Sequence, residues 1–230
     1  MPVFRLTEEI IFPPPELAEE DGLLAVGGDL SVERLLLAYS MGIFPWYSDD
    51  SPILWWSPDP RLVLMPEDLK VSRSLRQTIK KEIYRTTFDN AFEKVIRGCA
   101  ESRRKYEDGT WITEDMVRAY CGLHEEGFAH SVESWIGDEL AGGLYGVALG
   151  GVFYGESMFA RRSDASKVAF VKLVEKLSHL KFRLIDCQVT TRHLISLGAK
   201  EVPRSEFLGI VRKALKLRTP QGKWDKLAKE

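Results

Sequence analysis

The chain has 230 residues, with 32 Lys and Arg against 34 Asp and Glu and a net charge of −2. That length allows one large domain or two modest ones. The balanced charge excludes binding to nucleic acid through the overall field, so any such role needs a local basic patch.

In chain order, the opening "MPVFRLTEEIIFPPPELAEEDG" is acidic and broken by Pro13, Pro14 and Pro15. It does not have the pattern of a signal peptide. The segment "GLLAVGGDLSVERLLLAYSMGIF" predicts a helix with Ser31 as N-cap, Leu35, Leu36 and Tyr39 on its apolar face, and Gly42 as its stop. Residues 41–61, "MGIFPWYSDDSPILWWSPDPR", gather Phe44, Trp46, Tyr47, Trp55 and Trp56. Pro45, Pro52, Pro58 and Pro60 argue against regular structure there. Residues 62–65, "LVLM", predict a short strand leading into a second unit.

Residues 72–82 predict a two-faced helix. Leu75 and Ile79 share one face, while Arg73, Arg76 and Lys80 share the other, with Lys70 and Lys81 alongside. Spacing alone fits either a solvated face or a stripe that meets phosphates. "FDNAFEKVIRGCAES" predicts a helix, "RRKYEDGTW" a polar loop ending at Trp111, and "ITEDMVRAYCGLHEEG" a helix capped by Thr113 and carrying Tyr120.

Residues 128–157, "FAHSVESWIGDELAGGLYGVALGGVFYGES", then predict three antiparallel strands, joined at "GDE" and at Gly150 and Gly151. An amphipathic helix follows, with Phe170, Leu173, Val174, Leu177 and Leu180 at helical spacing. After it come a strand "LIDCQV", a helix "TTRHLISLG" and a last helix from about Ser205. The tail "RTPQGKWDKLAKE" is expected to be loosely held. The result is an α/β fold with a mixed sheet, in the element order of the GNAT-type acyltransferase core.

The three cysteines, Cys99, Cys121 and Cys187, lie too far apart for a C-x-x-C motif and suggest a reducing compartment. No apolar run approaches the roughly 18 residues of a membrane span. The expected setting is the cytoplasm, with no membrane partner.

Strand alternation puts Asp186 and Gln188 on one face of "LIDCQV" and Cys187 on the other. The first two are either a satisfied buried pair or an acid/base and orienting pair in a cleft. Cys187 has no basic neighbour at a motif spacing and fits a packed thiol. Glu156 follows Gly155 among Phe153, Tyr154, Met158 and Phe159, so it is either paired structurally or lines a pocket. His124, His130, His179 and His193 lack metal-ligand spacing, and no metal site is expected. G-x-S-x-G is absent. The turn "GESMFARRSDASK" lacks the G-x-G cradle on which acyl-CoA-using GNAT enzymes hold pyrophosphate, so the acyl donor is expected to be something other than CoA.

The blocks "DGLLAVGGDLS", "GIFPWYS", "ILWWSPDPR", "EDGTWIT", "GGLYGVALGGVFYGESMF", "ASK" and "LIDCQV" occur in the order found in the leucyl/phenylalanyl-tRNA–protein transferase family, which the chain resembles from about residue 12 to about residue 215. The resemblance implies a small N-terminal domain, taken as residues 1–61, and a GNAT-like catalytic domain, taken as residues 62–230. It implies transfer of Leu or Phe from aminoacyl-tRNA to proteins that begin with Arg or Lys, marking them for degradation, with no metal or CoA.

By the same resemblance Trp46 and Trp111 match the tryptophans that stack on the terminal adenosine. Such stacking is worth roughly 1–3 kcal/mol per base. Phe44, Trp55 and Trp56 are read instead as cement between the two domains. Arg73, Arg76, Lys80 and Lys81 match the basic residues that face the tRNA body. Leu144, Phe153, Leu173 and Ile185 are the candidates for the aminoacyl pocket, with Glu156 near the donor's amino group. Leu144 and Leu173 stand where relatives often have Met and Phe, which alters the pocket's shape. Asp186 is expected to hold the acceptor amine and take up or pass on its proton, and Gln188 to orient Asp186 or the ester. A monomer is expected. Two other classes remain open at this point: another transferase of the same fold, Fem-type or CoA-dependent, and a tRNA-binding module without catalysis.

Overall fold

Apolar residues at two periods, about 3.6 and 2, divide the chain into helices and strands that bury one stripe or one face each. A computed structural model describes residues 3–102 and 111–225. Most of the polar loop expected over 103–111 therefore lies outside the described residues.

The first sheet has four strands, β1 (Phe4–Leu6), β2 (Leu23–Gly27), β3 (Phe44–Pro45) and β4 (Leu54–Trp56), in the order β1-β2-β4-β3. Between β2 and β3 lies helix α1 (Val32–Ser40), whose first turn is capped by the Ser31 hydroxyl accepting from the Arg34 N–H. Gly42 ends this region with φ +72°, where a side chain would also meet Phe207 and Leu208. The aromatic segment is more regular than its prolines suggest: β4 is an internal strand, paired with β2 and β3. Its three residues contain no proline, and Pro45 falls on the edge strand, where a missing N–H is tolerated. Trp55 is fully buried and donates its indole N–H to the Gly27 carbonyl at 2.9 Å.

The second sheet has seven strands: β5 (Arg61–Leu64), β6 (Arg85–Phe88), β7 (Ala129–Ile136), β8 (Glu139–Leu149), β9 (Val152–Ala160), β10 (Leu184–Gln188) and β11 (Lys200–Val202). Their order is β11-β5-β10-β9-β8-β7-β6. The β9–β10 pair is parallel and the other neighbours are antiparallel. The expected strand–strand–strand–helix–strand–helix order is present. β6 and β11 are additions to it; at four and three residues they carry little periodicity.

Among the described residues six α-helices accompany this sheet: α2 (Arg73–Lys80), α3 (Phe92–Glu101), α4 (Glu114–Glu125), α5 (Ala165–His179), α6 (Arg192–Ser196) and α7 (Arg204–Ala214). Alternation along the strands builds two cores. Leu144, Phe153 and Ile185 pack with Val168, Leu173 and Leu177 of α5. Tyr145, Tyr154 and Leu184 face the other way, into a core with Val95, Tyr120, Leu24, Tyr39 and Trp55. This second core runs without a break from the first sheet into the second. Among the described residues no helix is long and apolar enough to cross a membrane.

The C-terminal tail is not loosely held as far as it is described. Trp224 is 1% exposed, and its backbone N–H donates to Asp89 Oδ2 at 2.7 Å. A single large ring that finds a buried socket overrides the polar composition around it.

Candidate active site

The site begins where two strands part. β9 and β10 pair through Leu184–Val152, Ile185–Phe153 and Asp186–Tyr154, and there the pairing ends. β9 continues to Ala160 alongside β8, while β10 ends at Gln188. A parallel pair that stops early leaves an opening at the carboxyl ends of its strands.

Beside this opening lies a cavity of about 390 Å³. Leu144, Phe153, Leu173 and Ile185, the four apolar residues expected together, line it with Met158 and Phe170. Glu156 and Gln188 also border it. Cys187 belongs to the wall; burial pushes its thiol pKa far up, so it is a packed apolar group rather than a nucleophile. Half-buried His193 borders the cavity too, held below its usual pKa by burial and by Lys167. No spacing in the sequence singles His193 out.

Regular strand alternation breaks down at Asp186 and Gln188. The β10–β5 register shifts between these residues, and Gln188 takes φ +60°. Asp186 points to the core away from α5 and is 0% exposed. Its carboxylate is gripped from both sides by Arg61: Nε donates to Oδ1 at 2.8 Å and Nη2 to Oδ2 at 2.6 Å. The Arg61 guanidinium lies between the rings of Phe44 and Phe207, at 4.7 and 4.6 Å from their centroids. Asp186 Oδ1 also accepts the Gln188 backbone N–H at 2.9 Å. A carboxylate so engaged holds the left-handed Gln188 in place, and Asp186 is not among the residues that line the cavity.

The bulge turns the Gln188 side chain across the opening, where Nε2 donates to Glu156 Oε1 at 2.9 Å. Glu156 Oε2 accepts from the Tyr120 hydroxyl at 2.9 Å. Tyr120 is in turn hydrogen-bonded to the Tyr39 hydroxyl, from the first sheet's helix. Burial raises the Glu156 pKa to about 7, and the hydrogen bonds from Tyr39, Tyr120 and Gln188 offset only part of that rise. Glu156 is therefore poised between its acid and its carboxylate near neutrality, as groups at reactive sites often are. Tyr39, Tyr120 and Tyr145 are pushed well above the usual phenol range by burial. They act as hydrogen-bonding hydroxyls. Sequence reading missed Arg61 and Tyr39 as parts of this network; the one hint was an arginine opening an apolar strand.

Trp46 and Trp111 are both half-buried against the larger core. Trp46 is fixed by Trp56, which donates its indole N–H to the Trp46 carbonyl at 2.7 Å. The adjoining Tyr47 hydroxyl meets Thr113 Oγ1 at 3.2 Å, so the two tryptophan-bearing segments are tied together. Neither tryptophan lines the 390 Å³ cavity.

Arg73, Arg76, Lys80 and Lys81 lie on α2 and the residue after it, turned towards solvent, while Leu75 is buried beneath. A larger open groove of about 870 Å³ passes Lys80, Arg85, Lys172 and Lys176. It holds no buried carboxylate, which sets it apart from the cavity at the strand opening. At the start of α5, Asp164 occupies the N-cap position and pairs with Lys167 Nζ at 2.8 Å. An acidic side chain there opposes a pyrophosphate, which a helix N-terminus would otherwise attract.

The sequence profile described as leucyl/phenylalanyl-tRNA protein transferase matches residues 63–212, and that of the same family's N-terminal domain matches residues 28–59. A leucyl/phenylalanyl-tRNA–protein transferase of Syntrophobacter fumaroxidans is 66% identical over 211 residues, covering 92% of this chain and 90% of its own. One from Anaeromyxobacter sp. (strain Fw109-5) is 62% identical over 225 residues, covering 98% and 96%. Among solved structures, that of L-PGS from Bacillus licheniformis aligns with a TM-score of 0.40 at 10% identity, over 73% of this chain and 53% of that one. Likeness of that degree carries no weight beside the sequence matches.

Proposed function

The chain belongs to the leucyl/phenylalanyl-tRNA–protein transferase family, and from that premise we propose how its residues share out the work of an aminoacyltransferase. The enzyme moves Leu or Phe from aminoacyl-tRNA to the α-amino group of a protein. Its acceptors begin with Arg or Lys, and the new N-terminus marks them for degradation. The leucyl or phenylalanyl side chain enters the cavity lined by Leu144, Phe153, Leu173 and Ile185. Glu156, as carboxylate, receives the donor's ammonium. Trp46 and Trp111 hold the terminal adenosine by stacking. Arg73, Arg76, Lys80 and Lys81 meet tRNA phosphates, giving affinity without sequence choice.

The reaction is aminolysis of an ester. The acceptor nitrogen forms a bond to the ester carbonyl carbon, the carbon–oxygen bond to ribose breaks, and the nitrogen loses a proton. An α-amino group has an ordinary pKa of about 7.7–8.0, so a usable fraction is already unprotonated at neutral pH. Positioning then supplies most of the acceleration. Gln188 orients the ester, and Asp186 acts through Gln188 and as a fixed negative charge behind it. The proton passes to the leaving ribose oxygen, directly or through water.

Residues 1–61 serve as a domain that supplies Trp46 and Tyr39, and residues 62–230 as the catalytic domain. The protein works as a monomer, since one chain supplies every group named here. It works in the cytoplasm, where aminoacyl-tRNA is made.

The observation that supports this reading most is the convergence of the four expected apolar residues with Glu156 and Gln188 at one strand opening. The test uses labelled leucyl-tRNA and two acceptor proteins identical except for an N-terminal Arg or Ala, without CoA. Label on the Arg protein alone is the expected result. Binding of tRNA without transfer, or transfer only from acetyl-CoA, overturns it.

A further inference from the structure

The segment after α7 lies beyond the residues matched by the family profile, yet it is fixed at several points. The Gly150 N–H donates to Thr219 Oγ1 at 2.7 Å. The chain then crosses the turn between α4 and β7 so closely that a Cβ on Gly127 would stand 2.5 Å from the Gly222 nitrogen. Beyond that crossing, Trp224 enters the core on the α5 side of the sheet.

Its socket is built from both polar and aromatic groups. Asp89 accepts from the Trp224 N–H at 2.7 Å, from the Ser131 N–H at 2.9 Å and from His130 Nδ1 at 2.9 Å. Burial works against the Asp89 charge, but these bonds outweigh it and hold the pKa below its usual value. The His130 ring stacks on Trp224 at 3.9 Å between centroids, with 12° between planes. Elsewhere around its rim the indole meets Phe182 at 6.0 Å and Phe153 at 5.9 Å.

Phe153 is the link to function. It lines the 390 Å³ cavity and has 0% exposure, so its ring sits between the cavity and Trp224. Interiors pack at crystal-like density, and a wall residue keeps its position only while something fills the space behind it. Removing the indole leaves room into which Phe153 relaxes, enlarging the cavity on its far side.

We propose that Trp224 is a positioning residue that sets the size of the aminoacyl cavity through Phe153, and with it the choice among donor side chains. The inference rests on the cavity being the aminoacyl site. Asp89 and His130 serve by clamping the tail that delivers the indole.

The test measures kcat/KM for leucyl-, phenylalanyl- and tryptophanyl-tRNA with one Arg-terminated acceptor, using the full chain and the variants Trp224→Ala, Trp224→Phe and Phe153→Ala. Trp224→Ala is expected to raise the tryptophanyl-to-leucyl ratio about tenfold, the scale at which a pocket resolves small differences in size. Trp224→Phe should return it to within about twofold. The ratio is taken within one preparation, so loss of folded protein cancels. If Trp224→Ala yields no folded protein, Trp224→Leu carries the same expectation, because it keeps an apolar anchor in the socket but leaves most of the indole's volume behind Phe153 empty. An unchanged ratio in the Trp224 variants, beside a shifted one in Phe153→Ala, overturns the inference and leaves the cavity's role intact. An unchanged ratio in Phe153→Ala as well overturns both.

Discussion

Gln188 donates its side-chain amide to Glu156 at 2.9 Å across the opening between β9 and β10. That bond exists because Asp186, fixed by Arg61, holds the Gln188 backbone in a left-handed conformation at the strand's end.

Replacing either member of the Arg61–Asp186 pair should destabilise the fold more than replacing both. Each single change leaves the other charge buried and unpaired, at a cost of about 3–5 kcal/mol. Urea unfolding of Arg61→Met, Asp186→Leu and the double variant measures this. The double variant is expected to be more stable than either single one. Turnover should nevertheless fall about 10²-fold in Asp186→Asn, since Gln188 loses its anchor.

The pKa of Glu156 predicts a pH dependence of stability with a definite sign. Burial raises the folded-state pKa from 4.5 to about 7. A raised carboxyl pKa means that the stabilisation is fully present below pH 4.5 and is lost as pH rises through about 7. Relative to Glu156→Gln, the protein should lose on the order of 3 kcal/mol across that window. Denaturant titrations at pH 5 and pH 8 compare the two. Activity should run the opposite way, rising through about pH 7 as the carboxylate forms to receive the donor ammonium. A stability difference that does not depend on pH would contradict the poised carboxyl.

The cations of α2 should act on affinity alone. Changing Arg73, Arg76, Lys80 and Lys81 to Gln should weaken binding of aminoacyl-tRNA and flatten its salt dependence. The slope should fall by roughly 0.7–0.9 log units per log unit of salt for each phosphate no longer neutralised. A minimal donor, aminoacyl-adenosine, should be used as well as before. A defect with the minimal donor would show that these residues serve the fold or the chemistry instead.

Two tryptophans of the same aromatic segment should behave differently. Trp46→Ala should weaken donor binding by about 1–3 kcal/mol while the protein remains folded. Trp55→Ala removes a fully buried ring and should cost about 3–5 kcal/mol of stability. Melting temperature and donor affinity, measured together, separate the two outcomes.

Local signals are the readable part of the sequence. Ser31 and Thr113 each cap the helix that follows, as their positions in the sequence suggest, because capping depends on a few neighbouring residues. The long alternating strands β7, β8 and β9 are plain for the same reason. Short strands are not, because β6 and β11 are defined by their partners rather than by their own pattern. The cavity residues become legible once the family's motifs are matched to this chain. The Arg61–Asp186 pair joins positions 125 residues apart, and no spacing rule connects them. The placement of the Gln188 amide against Glu156 goes with a bulge and a positive φ that strict alternation cannot express. The polar residues around Trp224 conceal its burial, since its socket is made by Asp89, His130 and Phe153 from distant elements.

The most direct test of the reactive centre is the single-turnover rate of transfer by Gln188→Leu, with donor saturating and its affinity measured alongside. The account predicts a rate about 10²-fold below that of the unaltered chain, with tRNA binding unchanged. A near-normal rate would mean that the Gln188–Glu156 bond is only a structural tie, and that the chemistry takes place elsewhere.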